Sequence, residues 1–331
     1  MKPKDLMQLL SHAIPARMPV LIKGAPGIGK TDIVTQACEE ANARLIVSHP
    51  VVDEPIDYKG LPAIKDDHAE FLPFGTLRKI IEAKEPMVYF MDDLGQAPPT
   101  VQAAAMQLIL ARRINGYKVS DQVTFLAATN RKQDKAGVSG VLEPVKSRFV
   151  SIVELEPDLE DWAEWAASKT LPAEMIAFIR FRPNLLHDFT PSIDITNSPC
   201  PRTIHNVAKL MTMGLPENLE FEAYSGAAGE GFAAELMGFL KIYRQLPDPN
   251  LILMDPDGAS VPHDVATLYA VCGALARLAK PDNMDAVITY ANRLPDEFSV
   301  LLITDAEKQN PAIVNTRAYA MWASSHHAAI N

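Results

Sequence analysis

The chain has 331 residues, of which 48% are hydrophobic and 22% charged, and its formal net charge is −10. This balance is typical of a soluble globular protein with two or three domains. The acidic surplus argues against a protein whose main task is to grip nucleic acid, because such affinity comes largely from neutralising phosphates. No uninterrupted apolar stretch approaches the roughly 20 residues of a membrane helix. No signal peptide is predicted at the N-terminus, and the three scattered cysteines favour the reducing cytoplasm over a disulfide framework or a zinc site.

Short apolar runs in the first half are predicted to be strands, namely residues 19–23, 44–48, 87–91, 123–129 and 149–153. They are continuously apolar rather than alternating, as strands covered on both faces are. Helix-like segments lie between them, such as residues 31–43 and 100–111. Repeated strand–helix alternation predicts a parallel five-stranded sheet between two layers of helices, an α/β fold.

Two segments interrupt this alternation. Residues 57–72 contain two short β-like pieces around a polar turn, and residues 111–123 contain Asn115-Gly116, a strong hairpin signal. Both are predicted to be hairpins added to the sheet. After about residue 156 the spacing is mostly helical, with long Pro-rich loops predicted at 181–202 and 246–262.

A glycine-rich segment follows the first predicted strand and fits the pattern G-x-x-x-x-G-K-[ST]. Its glycines let successive backbone N–H groups point at phosphate oxygens, and the N-terminus of the next helix adds a favourable dipole. Lys30 is expected to reach the β- and γ-phosphates, and the Thr31 hydroxyl to bind Mg²⁺. The predicted nucleotide-binding residues are Gly24, Ala25, Pro26, Gly27, Ile28, Gly29, Lys30 and Thr31.

Two adjacent aspartates end the apolar run at residues 87–91. Two like charges side by side are unfavourable unless something positive lies nearby, and ligands of parallel sheets bind where the strands end. Asp92 is therefore predicted to bind Mg²⁺, directly or through water, and Asp93 to act as the general base on the attacking water. An acidic helix cap is the alternative, but one carboxylate would suffice for that.

Three more residues extend the predicted site. Asn130 ends the strand at 123–129 and could position the attacking water or contact the γ-phosphate; the alternative is an ordinary turn residue. Arg148 could stabilise charge on the transferring phosphoryl group. Arg202, which opens a helix in the second half, could close on the nucleotide. For both arginines the alternative is a solvated surface side chain.

Together these motifs resemble the AAA+ ATPases and, within them, the MoxR-like group of the helix-2-insert clade. The resemblance covers about the first 215 residues and rests on the P-loop GAPGIGKT, the strand MVYFMDD, Asn130, Arg148 in EPVKSRF and Arg202 in CPRT. EPIDYKGLP with its hairpin resembles the insert of that clade, and ARRINGYKVSDQV resembles its pre-sensor hairpin.

The resemblance implies a nucleotide-binding core at residues 1–155, an α-helical lid at 156–245 with Arg202 as sensor 2, and a helical C-terminal extension at 246–331. It implies binding and hydrolysis of ATP with Mg²⁺ in a homo-oligomeric ring, expected to be a hexamer, in which Arg148 of one subunit completes its neighbour's site. It further implies a chaperone-type remodeller that works with a partner carrying a von Willebrand factor A domain.

Relatives usually carry Asp-Glu where this chain has Asp92-Asp93. Because aspartate is one methylene shorter, a weakly hydrolysing, nucleotide-gated scaffold is one alternative. A nucleic-acid motor and the motor subunit of a metal chelatase are the others, since both use related rings.

Overall fold

A computed structural model describes residues 1–65, 67–134, 140–191, 194–246 and 248–326. Parts of the polar turn predicted within residues 57–72, of both predicted loops and of the C-terminal extension therefore lie outside the described residues. The chain divides into two compact units, Met1–Asp158 and Leu159–Asn331. The predicted further division of the helical half at residues 245/246 stays a prediction.

The first unit alternates strands and helices, as the sequence predicts. Its helices are α1 (Pro3–Ala16), α2 (Lys30–Glu40), α3 (Pro55–Lys59), α4 (Gly75–Ile81), α5 (Pro99–Ala111) and α6 (Glu143–Lys146). Its strands are β1 (Val20–Lys23), β2 (Arg44–Ser48), β3 (Leu61–Lys65), β4 (His68–Leu72), β5 (Met87–Met91), β6 (Arg113–Ile114), β7 (Tyr117–Lys118), β8 (Val123–Thr129) and β9 (Ser151–Glu154).

Five of these strands form one parallel sheet in the order β2-β5-β8-β1-β9. Successive side chains point to opposite faces, and both faces are covered. Leu21, Tyr89 and Phe125 pack in one apolar cluster with α4 and α5, whereas Ile22 and Phe90 pack in another with α1 and α2. This burial on both sides explains the continuously apolar strands. The predicted three-layer αβα core is confirmed.

The two predicted hairpins are also present. Strands β3 and β4 pair antiparallel, and so do β6 and β7. Asn115 and Gly116 both have positive φ, 47° and 86°, as the type I′ turn of a two-residue hairpin requires.

The last strand is predicted at residues 149–153, but β9 begins at Ser151, so the predicted start is wrong by two residues. The backbone N–H groups of Arg148 and Phe149 donate to the carbonyls of Val145 and Lys146, so these residues still turn after α6. Phe149 is nevertheless buried, which explains why its apolar character resembled that of a strand.

The second unit is helical. Its helices are α7 (Leu159–Ser168), α8 (Ala173–Phe181), α9 (Pro201–Thr212), α10 (Glu217–Ala228), α11 (Glu230–Arg244), α12 (Pro249–Met254), α13 (Val265–Leu278), α14 (Met284–Ala291), α15 (Asp296–Gln309) and α16 (Arg317–Ser325). Helix α13 packs against both α8 and α15, where Tyr269 contacts the rings of Phe181 and Phe298. In the described part of the chain, no helix is long and apolar enough to cross a membrane.

The predicted loop at 246–262 contains a helix, α12, which corrects that prediction. Asp248 caps it by accepting a hydrogen bond from the backbone N–H of Asn250 at 2.9 Å, and Pro249 occupies the first turn. Proline is favourable at that position because the N–H it lacks would have no helical partner.

A buried ion pair joins α8 to α15. Arg180 is 8% exposed; it donates to Asp305 and, at 3.1 Å, to Glu160. We expect Asp305→Ala to lower the free energy of unfolding by about 3 kcal/mol, because it leaves a desolvated guanidinium without its main partner.

The matched control is the exposed pair of Arg182 and Glu235, which are 2.7 Å apart with side chains 47% and 42% exposed. Glu235→Ala should cost less than about 1 kcal/mol. Urea unfolding followed by circular dichroism measures the free energy of unfolding of both variants. Equal losses of stability would show that the buried pair of Arg180 stabilises the fold no more than an exposed pair does.

Candidate functional site

The glycine-rich segment continues β1 and opens α2. The backbone N–H of Gly24 donates to the Thr129 carbonyl at 3.2 Å, which extends the pairing of β1 with β8 past the strand end. A Cβ at Gly24 would lie 2.9 Å from the Leu155 carbonyl oxygen and 2.6 Å from Ile28. Gly27 and Gly29 have φ of 74° and 92°, which side chains disfavour. The chain therefore needs glycine at these positions to make a tight loop before the helix.

Lys30 connects this loop to the end of β8. It is 7% exposed, and its ammonium donates to the carbonyls of Gly24 and Ala25 at 3.1 and 2.9 Å and to Asn130 Oδ1 at 2.8 Å. Asn130 in turn donates through Nδ2 to Asp93 Oδ1 at 3.1 Å. The amide of Asn130 thus bridges a cation and a carboxylate at the carboxyl ends of three strands.

Thr31 and Asp92 form a second pair beside the first. The Thr31 hydroxyl donates to Asp92 Oδ2 at 2.6 Å, and Asp92 Oδ1 accepts from the backbone N–H of Asp93 at 3.0 Å. Within the described residues, no group of three or more His, Cys, Asp and Glu side chains could hold a metal ion. One hydroxyl and one carboxylate suit Mg²⁺, which usually takes its remaining ligands from water and substrate phosphates.

Asp93 has an uncommon backbone conformation, with φ of 55° and ψ of 32°. Aspartate and asparagine adopt this left-handed conformation more readily than other side chains do. The turn directs a half-buried carboxylate towards Asn130.

Arg148 lies at the other end of the sheet. The backbone N–H of Val150 donates to the Pro19 carbonyl at 2.8 Å, so Arg148 lies close to the start of β1. From Val20 to Gly24 the strand extends about 13 Å at about 3.3 Å per residue. The guanidinium donates to Ser147 Oγ at 3.0 Å, and its Nε has no hydrogen-bond partner among the described residues. Arg148 is thus far from Lys30 and half-buried beside a neutral partner.

Arg202 belongs to the second unit, where it is exposed in the first turn of α9. The structure therefore brings Lys30, Thr31, Asp92, Asp93 and Asn130 together in the first unit, whereas the roles of Arg148 and Arg202 stay predictions.

Sequence analysis overlooks Gln102 in α5. This side chain is fully buried; it donates to the carbonyls of Ala97 and Gly140 at 3.1 and 3.0 Å and accepts from the N–H of Leu142 at 2.9 Å. It thereby ties the segment after β5 to the segment after β8. The available signal is a glutamine within the otherwise apolar run VQAAAM, because a buried polar group must find partners.

A second overlooked group combines Ser48, Asp53 and Tyr58, and we name it the hydroxyl cluster. Ser48 Oγ and Tyr58 Oη donate to the same carboxylate oxygen, Asp53 Oδ2, at 2.5 and 2.7 Å. These residues come from the end of β2, the following loop and α3, so sequence spacing gives no signal that they meet.

A comparison with protein families finds a match within the first unit. Residues 20–156 match the family described as "ATPase family associated with various cellular activities (AAA)". No curated protein matches the chain.

Similar solved structures include a RuvB variant from Thermotoga maritima, with 19% identity over 82% of this chain and 81% of that one and a TM-score of 0.43. The Thermotoga maritima RuvB Holliday junction branch migration motor shows 18% identity over 82% and 80%, with a TM-score of 0.41. NtrX from Brucella abortus in complex with ADP shows 14% identity over 98% and 67%, with a TM-score of 0.43.

The family match spans the residues from β1 to the end of β9, and these contain the parallel sheet, the glycine-rich loop and the paired aspartates. The chain is therefore similar to the AAA ATPase family over residues 20–156.

Proposed function

We propose that this protein binds ATP together with Mg²⁺ at the glycine-rich loop and hydrolyses it. The observation that carries the proposal is the hydrogen-bonded chain from Lys30 through Asn130 to Asp93, next to the pair of Thr31 and Asp92. Phosphoryl transfer to water requires three kinds of group. These are a cation that binds phosphates, a hydroxyl with a carboxylate that can bind a metal ion, and a carboxylate with an amide that can orient and deprotonate water.

Each residue has a role in this proposal. Lys30 exchanges its acceptors, among them Asn130 Oδ1, for phosphate oxygens, which releases the amide of Asn130 to orient water. Asp93 accepts the proton of that water. Thr31 and Asp92 would hold Mg²⁺, which neutralises charge on the β- and γ-phosphate oxygens when bound. The loop from Gly24 to Gly29 suits a phosphate, because glycines with positive φ, such as Gly27 and Gly29, favour a turn whose backbone N–H groups can bind an anion.

Arg148 completes the site of a neighbouring subunit in this proposal. Arg148 lies at the start of β1 and is therefore far from Lys30 of the same molecule. Its guanidinium donates to the exposed, neutral Ser147 and pairs with no carboxylate among the described residues. An arginine supplied from a second copy would stabilise charge on the transferring phosphoryl group. We propose a ring, hexameric by resemblance, with Arg202 closing on nucleotide from the helical half.

The biological role that we propose is MoxR-like protein remodelling with a partner that carries a von Willebrand factor A domain. The acidic net charge of −10 supports a protein client over nucleic acid. The described cysteines, Cys38, Cys200 and Cys272, are free and buried, which supports a cytoplasmic location.

The experiment that tests the site is a titration with a fluorescent ATP analogue in the presence of Mg²⁺. We expect saturable binding, and we expect Lys30→Ala to weaken it by about 10- to 100-fold, because hydrogen bonds to a charged group contribute about 1.5–3 kcal/mol. Lys23→Ala is the control, because Lys23 lies just before the loop but pairs with Glu154 at 2.7 Å.

Equal binding by wild type and Lys30→Ala would exclude the glycine-rich loop as the nucleotide site. ATPase assays with and without DNA at physiological salt test one of the alternatives, since strong stimulation by DNA would favour a nucleic-acid motor over a protein remodeller.

A further inference from the structure

A cavity of about 330 Å³ lies on one face of the sheet, near its β9 edge. Leu21 of β1 and Ile152 of β9 lie side by side in the register, and both line the cavity. Helix α6 packs on this face through Val145, which shares an apolar cluster with Leu21, but the helix has only four residues. Ile152 is left 44% exposed. The cavity therefore has an apolar floor, where the short helix leaves the edge strand uncovered.

The glycine-rich loop lies against the opposite face of the sheet. Ala25 and Ile28 of the loop pack with Ile22, and Ile22 points away from the cavity because successive side chains of a strand alternate. Among the described residues that line the cavity, none belongs to residues 24–31, although Asn130 at the end of β8 does line it. The cavity is thus a neighbour of the proposed nucleotide site and not a part of it.

Most cations around the cavity already have a carboxylate partner. Lys23 pairs with Glu154 at 2.7 Å, and Arg131 donates two hydrogen bonds of 2.9 Å to the buried carboxylate of Asp134. Lys132 lines the same cavity but forms no ion pair with a carboxylate of the described residues. The charge of Lys132 is therefore available to an anion.

The ammonium of Lys132 lies on a fixed piece of backbone. A Cβ built on Gly140 would lie 2.9 Å from Lys132 Nζ, so the lysine occupies the space that a larger residue would fill. Gly140 is held on both sides, because its N–H donates to the Gly95 carbonyl at 3.1 Å and its carbonyl accepts from Gln102 at 3.0 Å. This contact places the cation at the wall of the cavity.

A second cation lines the cavity from α6. Lys146 pairs with Glu143, whose side chain is 85% exposed. Exposed ion pairs contribute little free energy, so Lys146 can exchange this partner for a ligand at small cost. Lys132 and Lys146 thus supply two donors and one unpaired charge. That charge matches a carboxylate better than a phosphate monoester, which carries nearly two negative charges at neutral pH.

We propose that this cavity binds a small organic carboxylate, held by Lys132 and Lys146 and packed through its apolar body on Leu21 and Ile152. A volume of about 330 Å³ is at the small end for ligand pockets and suits roughly ten non-hydrogen atoms, at about 30 Å³ for each atom the size of a water. The site does not depend on the proposed nucleotide binding, since its lining residues lie on the other face of the sheet.

The test is a fluorine NMR titration of the full chain with 4-fluorobenzoate, which has the predicted size, charge and apolar body. We expect saturable binding with a dissociation constant in the low millimolar range, as about ten atoms allow. The amide 4-fluorobenzamide has the same shape without the charge and should bind at least about tenfold more weakly, because a charge-assisted hydrogen bond is lost.

Two variants and a control locate the site. Lys132→Gln should weaken binding of 4-fluorobenzoate by about tenfold, and Ile152→Asp should do the same because it places a carboxylate in the floor. Lys79→Gln removes the same charge from an exposed lysine of α4 that does not line the cavity, so it should bind 4-fluorobenzoate as wild type does. A non-hydrolysable ATP analogue with Mg²⁺ should not compete with 4-fluorobenzoate.

Four results would overturn the inference. They are no saturable binding by wild type, equal affinity for the acid and the amide, equal affinity of Lys132→Gln and Lys79→Gln for the acid, and competitive displacement of the acid by the ATP analogue. A wild type that binds 4-fluorobenzoate but no ATP analogue would instead overturn only the proposed function, so the two failures are distinguishable.

Discussion

Arg148→Ala should lower the ATPase kcat by about 10³-fold, the lower end of the range for an arginine that acts on the transferring phosphoryl group. The dissociation constant for Mg²⁺-ATP should stay within about threefold, since this side chain acts on charge that develops only in the transition state. Its place at the start of β1, away from Lys30, is the structural reason. The measurement is steady-state turnover together with direct binding of a fluorescent ATP analogue. Normal turnover by Arg148→Ala would exclude a shared site.

Mixing two inactive variants tests whether the arginine acts between subunits. Arg148→Ala keeps an intact Asp93, and Asp93→Asn keeps an intact Arg148. If each site takes Arg148 from a neighbour, random assembly of an equal mixture completes about one quarter of the sites. About one quarter of the wild-type turnover should then return. An arginine that served its own subunit would give no recovery, and each variant alone provides the baseline.

Asp93→Asn should lower kcat by about 10²- to 10⁴-fold, the contribution typical of a general base. The amide cannot accept the proton of the attacking water, but it keeps the size of the side chain and preserves a hydrogen-bonding position beside Asn130. Binding of Mg²⁺-ATP should persist, because Lys30, Thr31 and Asp92 are unchanged. Rapid-quench measurement of a single turnover separates the chemical step from product release.

Asp93→Glu distinguishes slow hydrolysis from none. Glutamate can accept the proton but suits the left-handed backbone at φ of 55° less well, so we expect activity within about tenfold of wild type. Identical, negligible turnover by wild type, Asp93→Asn and Asp93→Glu would favour the nucleotide-gated scaffold.

Local patterns in the sequence were sufficient to predict most of the first unit. The apolar runs at 87–91 and 123–129 coincide with β5 and β8, and Asn115-Gly116 forms the expected turn. These predictions succeed because strand burial on two faces and positive φ in a tight turn restrict residue type at each position.

Predictions failed where contacts between distant residues decide the structure. Phe149 resembles a strand residue but fills the core from a turn, and α12 begins within a Pro-rich segment that was predicted to be a loop. The partners of Gln102 lie up to 40 residues away, and the hydroxyl cluster forms only when β2 and α3 pack together. A glutamine in an apolar run indicates that Gln102 needs partners, but a single sequence contains no local signal for which distant residues come into contact.

The parallel pairing of β1 with β9 has a consequence for symmetry. It gives each molecule a phosphate-binding end and an arginine-bearing end that face opposite ways. If Arg148 serves a second copy, the contact must bring the arginine-bearing end of one molecule to the phosphate-binding end of another. A closed ring of such head-to-tail contacts would leave no subunit with an incomplete site.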